Sequence, residues 1–301
     1  MLMQYDFSKI EIWPGPMEGV GKAEFVRTVN AMRLTERWMT PFLRLSETMP
    51  SDAVLRRFAA AYFASQVPVT IQLMGTSPQL LGQCAARLLE LTPAAGINLN
   101  FGCPSSRVVK HGAGGGVLKQ PEKIADFCAE VAAYLPPGKL SVKLRAGWTS
   151  AHDMEIFLPA LAASQAVSKI FFHYRTVQEF YSPDALPFRE QRTALAVQCA
   201  GNIPVIANGD ITSTADAAQL LRAARCAGIM IARPWMRDPY LLTRFTVPDA
   251  PDAETGREQF FSELRRHGVQ AGALIEMAKM LWGIKHEKFI SLLQELHSPA
   301  E

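Results

Sequence analysis

Eight short apolar segments alternate with stretches of helical periodicity along most of this chain, and that alternation restricts the fold more than any other feature. The stretches between the apolar segments, such as Pro78–Leu91, Pro121–Tyr134 and Thr214–Ala224, have amphipathic helical patterns. The alternation predicts an α/β fold, a (β/α)8 TIM barrel. A doubly wound sheet is the competing fold, but no GxGxxG motif follows the first strand. The predicted strands are Ile10–Trp13, Trp38–Leu45, Pro68–Met74, Gly96–Phe101, Leu140–Leu144, Lys169–His173, Ile203–Ala207 and Gly228–Ala232.

The sequence changes character after Phe245. Residues 246–256 (TVPDAPDAETG) are rich in Pro, Asp and Ala, which is typical of a linker. Residues 257–301 have only helical patterning, for example over Phe260–Arg266 and Ala273–Leu296. We therefore expect a barrel over residues 1–245, a linker over 246–256 and a small all-helical C-terminal domain over 257–301.

Composition limits the cellular setting. The chain has 301 residues, of which 49% are hydrophobic and 20% charged, and its net charge of +3 falls short of a nucleic-acid-binding signature. The five cysteines are widely spaced and form no CxxC pair, which argues against a disulfide framework or a metal site and indicates a reducing cytosol. The N-terminus does not resemble a signal peptide, and no apolar run approaches the roughly 18 residues that span a membrane. These features predict a cytoplasmic protein with no membrane segment.

The ends of the predicted strands carry most of the chemically distinctive residues. In a TIM barrel the functional residues collect at the carboxyl ends of the strands. Because nearly every strand end here has a polar or otherwise special residue, we favour one functional site at that face over a purely structural barrel. The residues are Pro16, Met17, Glu18, Arg44, Gln72, Asn100, Cys103, Lys143, Arg145, His173, Arg175, Asn208, Gly209, Asp210 and Arg233.

Cys103 is the candidate reactive group. It follows the fourth strand and precedes Pro104 and the glycine-rich segment 112–116. A free cysteine is more often a buried apolar residue, but the bend and the glycines indicate a close approach to another group. A thiol with an ordinary pKa of about 8.5 is mostly protonated at neutral pH and can act as a general acid. The sequence therefore favours Cys103 as a proton donor.

Three other residues have both a functional and a structural interpretation. Lys143 lies where strand alternation places it in the barrel mouth, and a buried ammonium needs an anion or an electron-rich ring such as a flavin; the alternative is an exposed strand lysine. Gln72 offers a donor and an acceptor to the edge of a heterocycle. A lone His173 is more often a satisfied core residue, but Arg175 on the same face favours a functional role.

The last two strands predict an anion site. Asn208 and Gly209 form a turn just before a helix that begins with Ser and Thr, so free backbone N–H groups can face an anion. A tight turn without a ligand is the alternative. Arg233 adds a guanidinium after the eighth strand, and the loops after strands seven and eight are the usual phosphate site of such barrels. Together they favour a phosphate.

Taken together, the motifs resemble the tRNA-dihydrouridine synthase family. They are PMEGV (16–20), QLMG (72–75), NFGCPS (100–105), GAGGG (112–116), VKLRAGW (142–148), HYRT (173–176), IANGD (206–210) and MIAR (230–233). The resemblance covers about residues 10–245 and is closest to the bacterial DusC-like branch, which is associated with position 16 of the D-loop. It implies an FMN-dependent, NADPH-fed reduction of the C5–C6 double bond of a uridine in tRNA. Flipping of that uridine is required, because a stacked base cannot present this bond to a flavin.

The resemblance also implies a role for each site residue. Cys103 would protonate C5 while N5 of reduced flavin delivers a hydride to C6. The isoalloxazine and ribityl parts would be held by Pro16, Met17, Glu18, Gln72, Lys143 and His173. The phosphate would be held by Asn208, Gly209, Asp210, Ala232 and Arg233. The flipped uracil or the RNA backbone would face Arg44, Asn100, Arg145 and Arg175.

Some positions depart from the family pattern. Ala232 stands where the family usually has glycine, and its methyl group would crowd the phosphate. Tyr174 stands where a small residue is more common, and Ser106 where a lysine is frequent. The helical tail, which grips tRNA in the family, has its basic residues balanced by acidic ones. We therefore expect RNA binding to depend on the barrel mouth as well and to weaken with salt.

Two alternatives remain open at this stage. One is an FMN-dependent barrel oxidoreductase acting on a small molecule, which the helical tail and the arginine-rich mouth disfavour. The other is a flavin-bearing RNA-binding protein with little turnover, which a Cys103→Ala variant would distinguish from an enzyme. The position of the uridine and the choice between NADPH and NADH stay open, and the chain is expected to act as a monomer.

Overall fold

The computed structural model describes residues 5–18, 23–247 and 249–297. Eight β-strands occur within this part of the chain, and all eight lie where the sequence predicts them, with boundaries that differ by at most a few residues. The strands are β1 Glu11–Pro14, β2 Trp38–Arg44, β3 Val69–Met74, β4 Gly96–Phe101, β5 Leu140–Arg145, β6 Ile170–His173, β7 Val205–Asn208 and β8 Gly228–Ile231. Residues 19 and 20 of the PMEGV motif lie outside the described residues.

The strands form one parallel sheet that curls into a barrel. Their order is β1-β8-β7-β6-β5-β4-β3-β2, so that β1 pairs with the last strand of the chain. β1 and β2 are in contact, but no ladder of backbone hydrogen bonds joins their described residues. Because parallel neighbours need crossover connections, each strand is followed by a return segment on the outside. The predicted TIM-barrel fold is thus confirmed.

The helices cover the outside of the barrel and extend beyond it. Ser77 caps α3 by accepting a hydrogen bond from the Leu80 N–H, and Pro78 occupies the first turn, as the sequence predicts. The helices are α1 Ala23–Ala31, α2 Asp52–Phe63, α3 Pro78–Leu91, α4 Ser106–Val109, α5 Ile124–Ala132, α6 Met154–Ser164, α7 Arg189–Cys199, α8 Thr214–Ala224, α9 Arg233–Arg237, α10 Ala253–Arg266, α11 Ala271–Trp282 and α12 Glu287–His297.

The barrel interior has an apolar part and a polar part. The apolar part is a cluster of five buried side chains, in which the Trp13 ring meets Phe171 edge-on. The polar part lies on β3, β4 and β5, where Gln72 donates to Asn98 and Asn98 donates to Ser141. Buried amides are stable only when they are hydrogen-bonded, and this network meets that need. The apolar cluster consists of Trp13, Met39, Phe171, Ile206 and Met230.

The C-terminal helices α10, α11 and α12 share a hydrophobic core with the barrel. Phe260 of α10 packs against Phe25 of α1, which also meets Trp235 of α9. Helix α10 begins at Ala253, within the segment predicted as a linker, and Asp252 caps it. The helical pattern predicted over Ala273–Leu296 is divided in two at Gly283, whose φ of 84° ends α11.

No helix in the described ranges combines the length and the apolar character that crossing a membrane requires.

Candidate active site

A cavity of about 410 Å³ opens at the carboxyl ends of the strands, which we call the barrel mouth. Its volume lies within the range of small-molecule sites, roughly 300–1,000 Å³. Three of the residues predicted for the site, Gln72, Arg44 and Arg175, do not line it. The predicted residues that do line it are Pro16, Met17, Glu18, Asn100, Cys103, Lys143, Arg145, His173, Asn208, Gly209, Asp210, Ala232 and Arg233.

Strand register places several of these side chains at one level. Asn100 is paired with Lys143 across β4 and β5. Arg145 is paired with His173, and His173 with Asn208, across the next strands. Paired residues on neighbouring parallel strands point to the same face of the sheet, so this register directs their side chains toward one cavity.

The loop that carries Cys103 is fixed by backbone hydrogen bonds. Oδ1 of Asn100 accepts hydrogen bonds from the N–H groups of Gly102 and Cys103, at 3.1 and 2.9 Å. The Cys103 carbonyl accepts from the Gly115 N–H at 2.9 Å. Cys103 itself is partly exposed and free, with its thiol at the cavity. The predicted bend therefore presents the thiol, while Asn100 acts mainly as its support.

Gln72 lies beneath the cavity rather than on its wall. Its side chain is fully buried and accepts a hydrogen bond from the Asn100 amide at 2.8 Å, while donating to Asn98 at 2.8 Å. These contacts use its donor and acceptor groups within the protein. Gln72 therefore orients Asn100 from below the cavity, and its predicted contact with the cofactor stays a prediction.

Lys143 is a cation without a counter-ion. Among the described residues it makes no ion pair or hydrogen bond, although it lines the cavity opposite Asn100. Burial and the nearby charge of Arg145 lower the pKa of its ammonium to about 8. A partly buried cation without a counter-ion is unfavourable unless a ligand completes its surroundings.

His173 is held as a neutral imidazole. Burial, together with the positive charges of Arg145 and Lys143, lowers its pKa well below the usual 6.5. Its Nδ1 accepts a hydrogen bond from the Arg175 N–H at 3.2 Å, so the proton of the neutral ring is assigned to Nε2. Gly209 leaves room at that nitrogen, because a Cβ there would lie 3.0 Å from Nε2. The imidazole can thus donate one hydrogen bond at the cavity.

Arg145 ties two loops of the mouth together. Its guanidinium donates to the carbonyls of Gly102, Thr176 and Phe180 at 2.7–2.9 Å. The residue is buried, and that burial lowers its pKa to about 10. No carboxylate neutralises it among the described residues. Arg145 therefore fixes the Cys103 loop against the loop after β6 while adding positive charge to the cavity wall.

Asp210 is the centre of a charged cluster at the mouth. Its carboxylate accepts hydrogen bonds from the Tyr174 hydroxyl at 2.5 Å, from Arg175 and from Arg233 at 3.0 Å. Burial opposes ionisation, but these hydrogen bonds and charges outweigh it and keep the pKa of the carboxyl below 3.8. The Tyr174 ring also stacks on His173 at 5.3 Å. Tyr174, a departure from the family pattern, thus joins the predicted histidine to the predicted anion site.

Backbone groups dominate the wall near Asp210. Gly209 has a φ of 117°, and a Cβ there would come within 2.8 Å of the Tyr174 ring, so only glycine fits. The Asn208 amide donates to the Met230 carbonyl and joins β7 to β8. Ala232 packs toward β1, because a Cβ on Gly15 would lie 2.5 Å from its methyl group.

Some lining residues are not evident from the strand-end pattern. The register of β2 shifts between Met39 and Phe42, which brings Pro41 and Phe42 to the cavity. A proline within an apolar strand is the sequence signal for such a bulge. Tyr181 also lines the cavity, with the Arg233 guanidinium 4.6 Å from its ring centroid. Its signal is an aromatic pair, Phe180 and Tyr181, in a loop after a strand end.

The remaining predicted residue, Arg44, ends β2 on the exposed surface. It has no ion-pair partner within the described ranges. The described residues likewise contain no cluster of three or more His, Cys, Asp or Glu side chains suited to a metal ion.

Comparison with known proteins identifies the family. The family model of dihydrouridine synthases matches residues 14–286. The chain is 33% identical over 235 residues to the tRNA-dihydrouridine(16) synthase of Cupriavidus necator, covering 76% of this chain and 71% of that one. It is 30% identical to the enzyme of the same name from Salmonella typhimurium, covering 94% and 92%. The chain belongs to the dihydrouridine synthase family, as the resemblance predicts.

A solved structure supports the fold alone. The old yellow enzyme from Trypanosoma cruzi superimposes with a TM-score of 0.58 at 9% sequence identity, covering 85% of this chain and 92% of that one.

The site has the chemistry that a flavin mononucleotide requires. Lys143 provides an uncompensated cation, and Nε2 of His173 provides a single donor, both suited to the polar edge of an electron-rich ring. Arg233 lines the same cavity beside Asn208, Gly209 and Ala232, and its guanidinium suits a phosphate. The residues present therefore fit FMN.

Proposed function

We propose that this protein reduces a uridine of tRNA to 5,6-dihydrouridine in the cytoplasm, acting as a monomer with FMN and without a metal. NADPH serves as the reductant. The name of the relatives, tRNA-dihydrouridine(16) synthase, supports position 16 of the D-loop as the target. The observation that carries the proposal is that the free cysteine Cys103 and the uncompensated Lys143 line the same cavity.

The chain holds the flavin with side chains from several strands. Reduced FMN, when bound, supplies the hydride that C6 of the uracil accepts. Lys143 would stabilise negative charge on the ring, and the neutral His173 could donate a hydrogen bond to it from Nε2. Pro16, Met17 and Glu18 line the cavity from the segment that follows β1.

The phosphate would be held by Asn208, Gly209, Ala232 and Arg233, which line the cavity together. Because a carboxylate repels a phosphate, Asp210 acts by positioning the Arg233 guanidinium rather than by touching the anion. Gln72 acts in the same indirect manner, through Asn100.

Cys103 is the proton donor. Its Sγ–H bond breaks and a C5–H bond forms on the uracil, so the thiol becomes a thiolate and is reprotonated from solvent. Asn100 holds both N–H groups of the Gly102–Cys103 turn and so keeps the thiol in the position that proton transfer requires. The buried Arg145 adds positive charge beside the emerging thiolate.

RNA approaches over the rim of the mouth. Arg44 is exposed and free to meet phosphate oxygens, whereas Arg145 and Arg175 are held in the loops by backbone carbonyls. The uracil must leave the base stack to reach Cys103.

Mapping of dihydrouridine in tRNA tests the proposal. Mass mapping of tRNA from cells with and without this gene should show loss of dihydrouridine at position 16 in the deletion strain. The purified holoenzyme with NADPH should restore it in tRNA from that strain. Unchanged dihydrouridine at every site would exclude tRNA as the substrate. If dihydrouridine were lost at another position instead, tRNA would remain the substrate and only the assignment to position 16 would be excluded.

A further inference from the structure

A patch of exposed apolar side chains lies beside the catalytic cavity. Phe180, Tyr181, Leu186 and Phe188 are 43–50% exposed, and we call them the 180–188 patch. They follow β6 and therefore lie at the barrel mouth. Large apolar side chains clustered on a surface mark a contact site more often than isolated ones do.

The segment that carries the patch is fastened on both sides of the aromatic pair. The Phe180 carbonyl accepts a hydrogen bond from Arg145 at 2.7 Å, and the Ser182 carbonyl accepts one from Arg175 at 2.8 Å. Glu179, just before Phe180, is paired with Arg192 at 2.7 Å. The exposed rings are therefore held in place before any ligand arrives, and a contact with them costs little ordering entropy.

Phe180 is the unusual member of the patch. It has a φ of 51°, a left-handed conformation that costs free energy in a bulky residue and that glycine would adopt freely. Its ring is half-exposed and meets only the Tyr181 ring among the described aromatic residues, at 4.6 Å. The Tyr181 ring, in contrast, lies within 5.3 Å of the Arg145 and Arg233 guanidinium groups. Phe180 thus presents a free aromatic surface at a strained position.

The surroundings of the patch favour a polyanion with flat rings. Tyr181 and Arg233 line both the catalytic cavity and a neighbouring groove of about 530 Å³, so the patch stands where the two join. Arg145 beside it has no carboxylate partner in the described part of the chain. The arginines of the groove are paired with Glu190, Asp210 and Asp216, so Arg145 supplies the unpaired positive charge here. An exposed aromatic ring beside that charge, at the entrance to the catalytic cavity, suits a nucleobase and its phosphate.

We propose that Phe180 is a stacking platform for an unpaired tRNA base next to the reduced uridine. This inference rests on the proposed function and adds a specificity-determining contact to it. While the uridine is flipped toward Cys103, its neighbour loses a stacking partner, and the Phe180 ring replaces it. The contact is made equally in the ground state and the transition state, so it lowers KM and leaves kcat unchanged.

Substitution of Phe180 in the FMN-loaded enzyme tests the proposal. Phe180→Leu keeps an apolar side chain without an aromatic face, and Phe180→Gly also relieves the backbone. Both should weaken binding of unmodified tRNA about tenfold, with KM rising equally, because base–aromatic stacking contributes about 5- to 100-fold to affinity. Phe180→Tyr should retain wild-type affinity. The loss should be the same at low and high salt, since stacking releases no counterions.

Tyr134→Leu is the matched control. Tyr134 is an exposed aromatic residue that follows α5, whose carboxyl end points to the opposite end of the barrel. This variant should bind tRNA like the wild type. FMN affinity should be unchanged in all the variants, because the Phe180 carbonyl that holds Arg145 belongs to the backbone.

The outcomes separate this inference from the proposed function. A wild-type enzyme that forms no dihydrouridine contradicts the function itself. An active wild type with Phe180→Leu and Phe180→Gly that bind tRNA normally overturns the platform alone. Sedimentation gives the third outcome. If the wild type is a dimer and Phe180→Gly is a monomer that binds tRNA normally, the patch is an interface between copies of the chain, and the platform is also overturned.

Discussion

The barrel mouth and the C-terminal helices both carry several cationic side chains, but their charges are arranged differently. Residues 253–297 contain six Lys or Arg and six Glu residues. Arg257 is paired there with Glu254, and Arg265 with Glu295. At the mouth, Lys143 and Arg145 have no carboxylate partner in the part of the chain that the structure describes. Lys279 and Lys285 of the helices also lack an ion pair among the described residues, but the six Glu residues leave that segment without net positive charge. The two unpaired cations of the mouth, in contrast, line one cavity.

The difference has an energetic consequence. Exposed pairs such as Arg265–Glu295 contribute little to stability, about 0–1 kcal/mol each. An unpaired and partly buried ammonium such as Lys143 is unfavourable for folding, so its presence indicates a ligand that interacts with it. The helices therefore stabilise the molecule through the core that they share with the barrel. The unpaired charges at the mouth lower the free energy of unfolding but are available for binding and chemistry.

Cys103→Ala is expected to have the largest effect and tests whether the mouth carries the chemistry. Without a proton donor the rate of dihydrouridine formation should fall about 10²- to 10⁴-fold, the usual contribution of a general acid. FMN and tRNA affinity should stay within twofold of wild type, because Asn100 binds backbone N–H groups that the variant keeps. Single-turnover mass measurement checks the rate, with Cys199→Ala as a control. Equal rates for Cys103→Ala and wild type would exclude Cys103 as the acid.

Lys143→Met tests the unpaired cation directly. Loss of the ammonium should weaken FMN binding about 10- to 100-fold, the range for a hydrogen bond to a charged group. Flavin fluorescence titration measures the affinity. Lys139→Met is the control, because Lys139 is only partly buried and precedes the same strand at the end away from the cavity. Unchanged FMN affinity in Lys143→Met would contradict the role assigned to this side chain.

Lys143 also predicts a dependence of stability on pH. Its folded-state pKa of about 8 lies below the ordinary 10.5, so between these values the unfolded chain binds a proton that the folded chain does not. Unfolding then takes up a proton, and the contribution of Lys143 to the free energy of unfolding rises with pH across this interval. Burial raises the pKa values of Cys84, Cys128 and Cys226 and lowers stability with pH in both proteins, so the test is the difference between them. In denaturant titrations of the flavin-free proteins, the free energy of unfolding of wild type minus that of Lys143→Met should increase from pH 8 to 10.5. Parallel pH profiles would contradict the depressed pKa.

Sequence reasoning located the strands and the face of the site because both depend on local patterns. Each buried strand is a short apolar run, and the residue after each strand reaches the mouth by topology alone. The start of helix α10 is harder to predict from the sequence, since its first turn contains residues that also occur in linkers. Its helical state depends on the capping of Thr255 by Asp252 and on the packing of Phe260 against α1.

The division of work among the site residues could not be predicted in this way. Gln72 and Asn100 look equally available in the sequence, but the barrel interior pairs them with each other. Arg175 and Asp210 are 35 positions apart and meet only because β6 and β7 are neighbours. Hydrogen-bond partners chosen across strands depend on register and side-chain packing, which no short motif records.

Arg44→Ala and Arg265→Ala compare the mouth with the helices directly. Both arginines are exposed, but only Arg265 has a carboxylate partner in the described structure. Arg44→Ala should weaken tRNA binding a few-fold and reduce the slope of log affinity against log salt by about one. Arg265→Ala should change neither by a measurable amount. Filter binding at several salt concentrations measures the affinity and its salt dependence. A larger effect of Arg265→Ala than of Arg44→Ala would indicate that the RNA contacts the helices rather than the mouth.

Tyr174→Phe should have the smallest effect. It compares the charged cluster around Asp210, whose members are paired, with the unpaired Lys143. The variant keeps the ring that stacks on His173 and removes only the hydroxyl that binds Asp210. Because Arg175 and Arg233 still hold the carboxylate, the free energy of unfolding should fall by only about 1 kcal/mol. FMN affinity should fall by less than threefold, far less than in Lys143→Met, since Arg233 keeps its partner. Denaturant titration and flavin titration measure the two quantities, with the exposed Tyr134→Phe as the control. A loss of FMN affinity as large as that of Lys143→Met would mean that the charged cluster around Asp210, rather than the lone ammonium, determines cofactor binding.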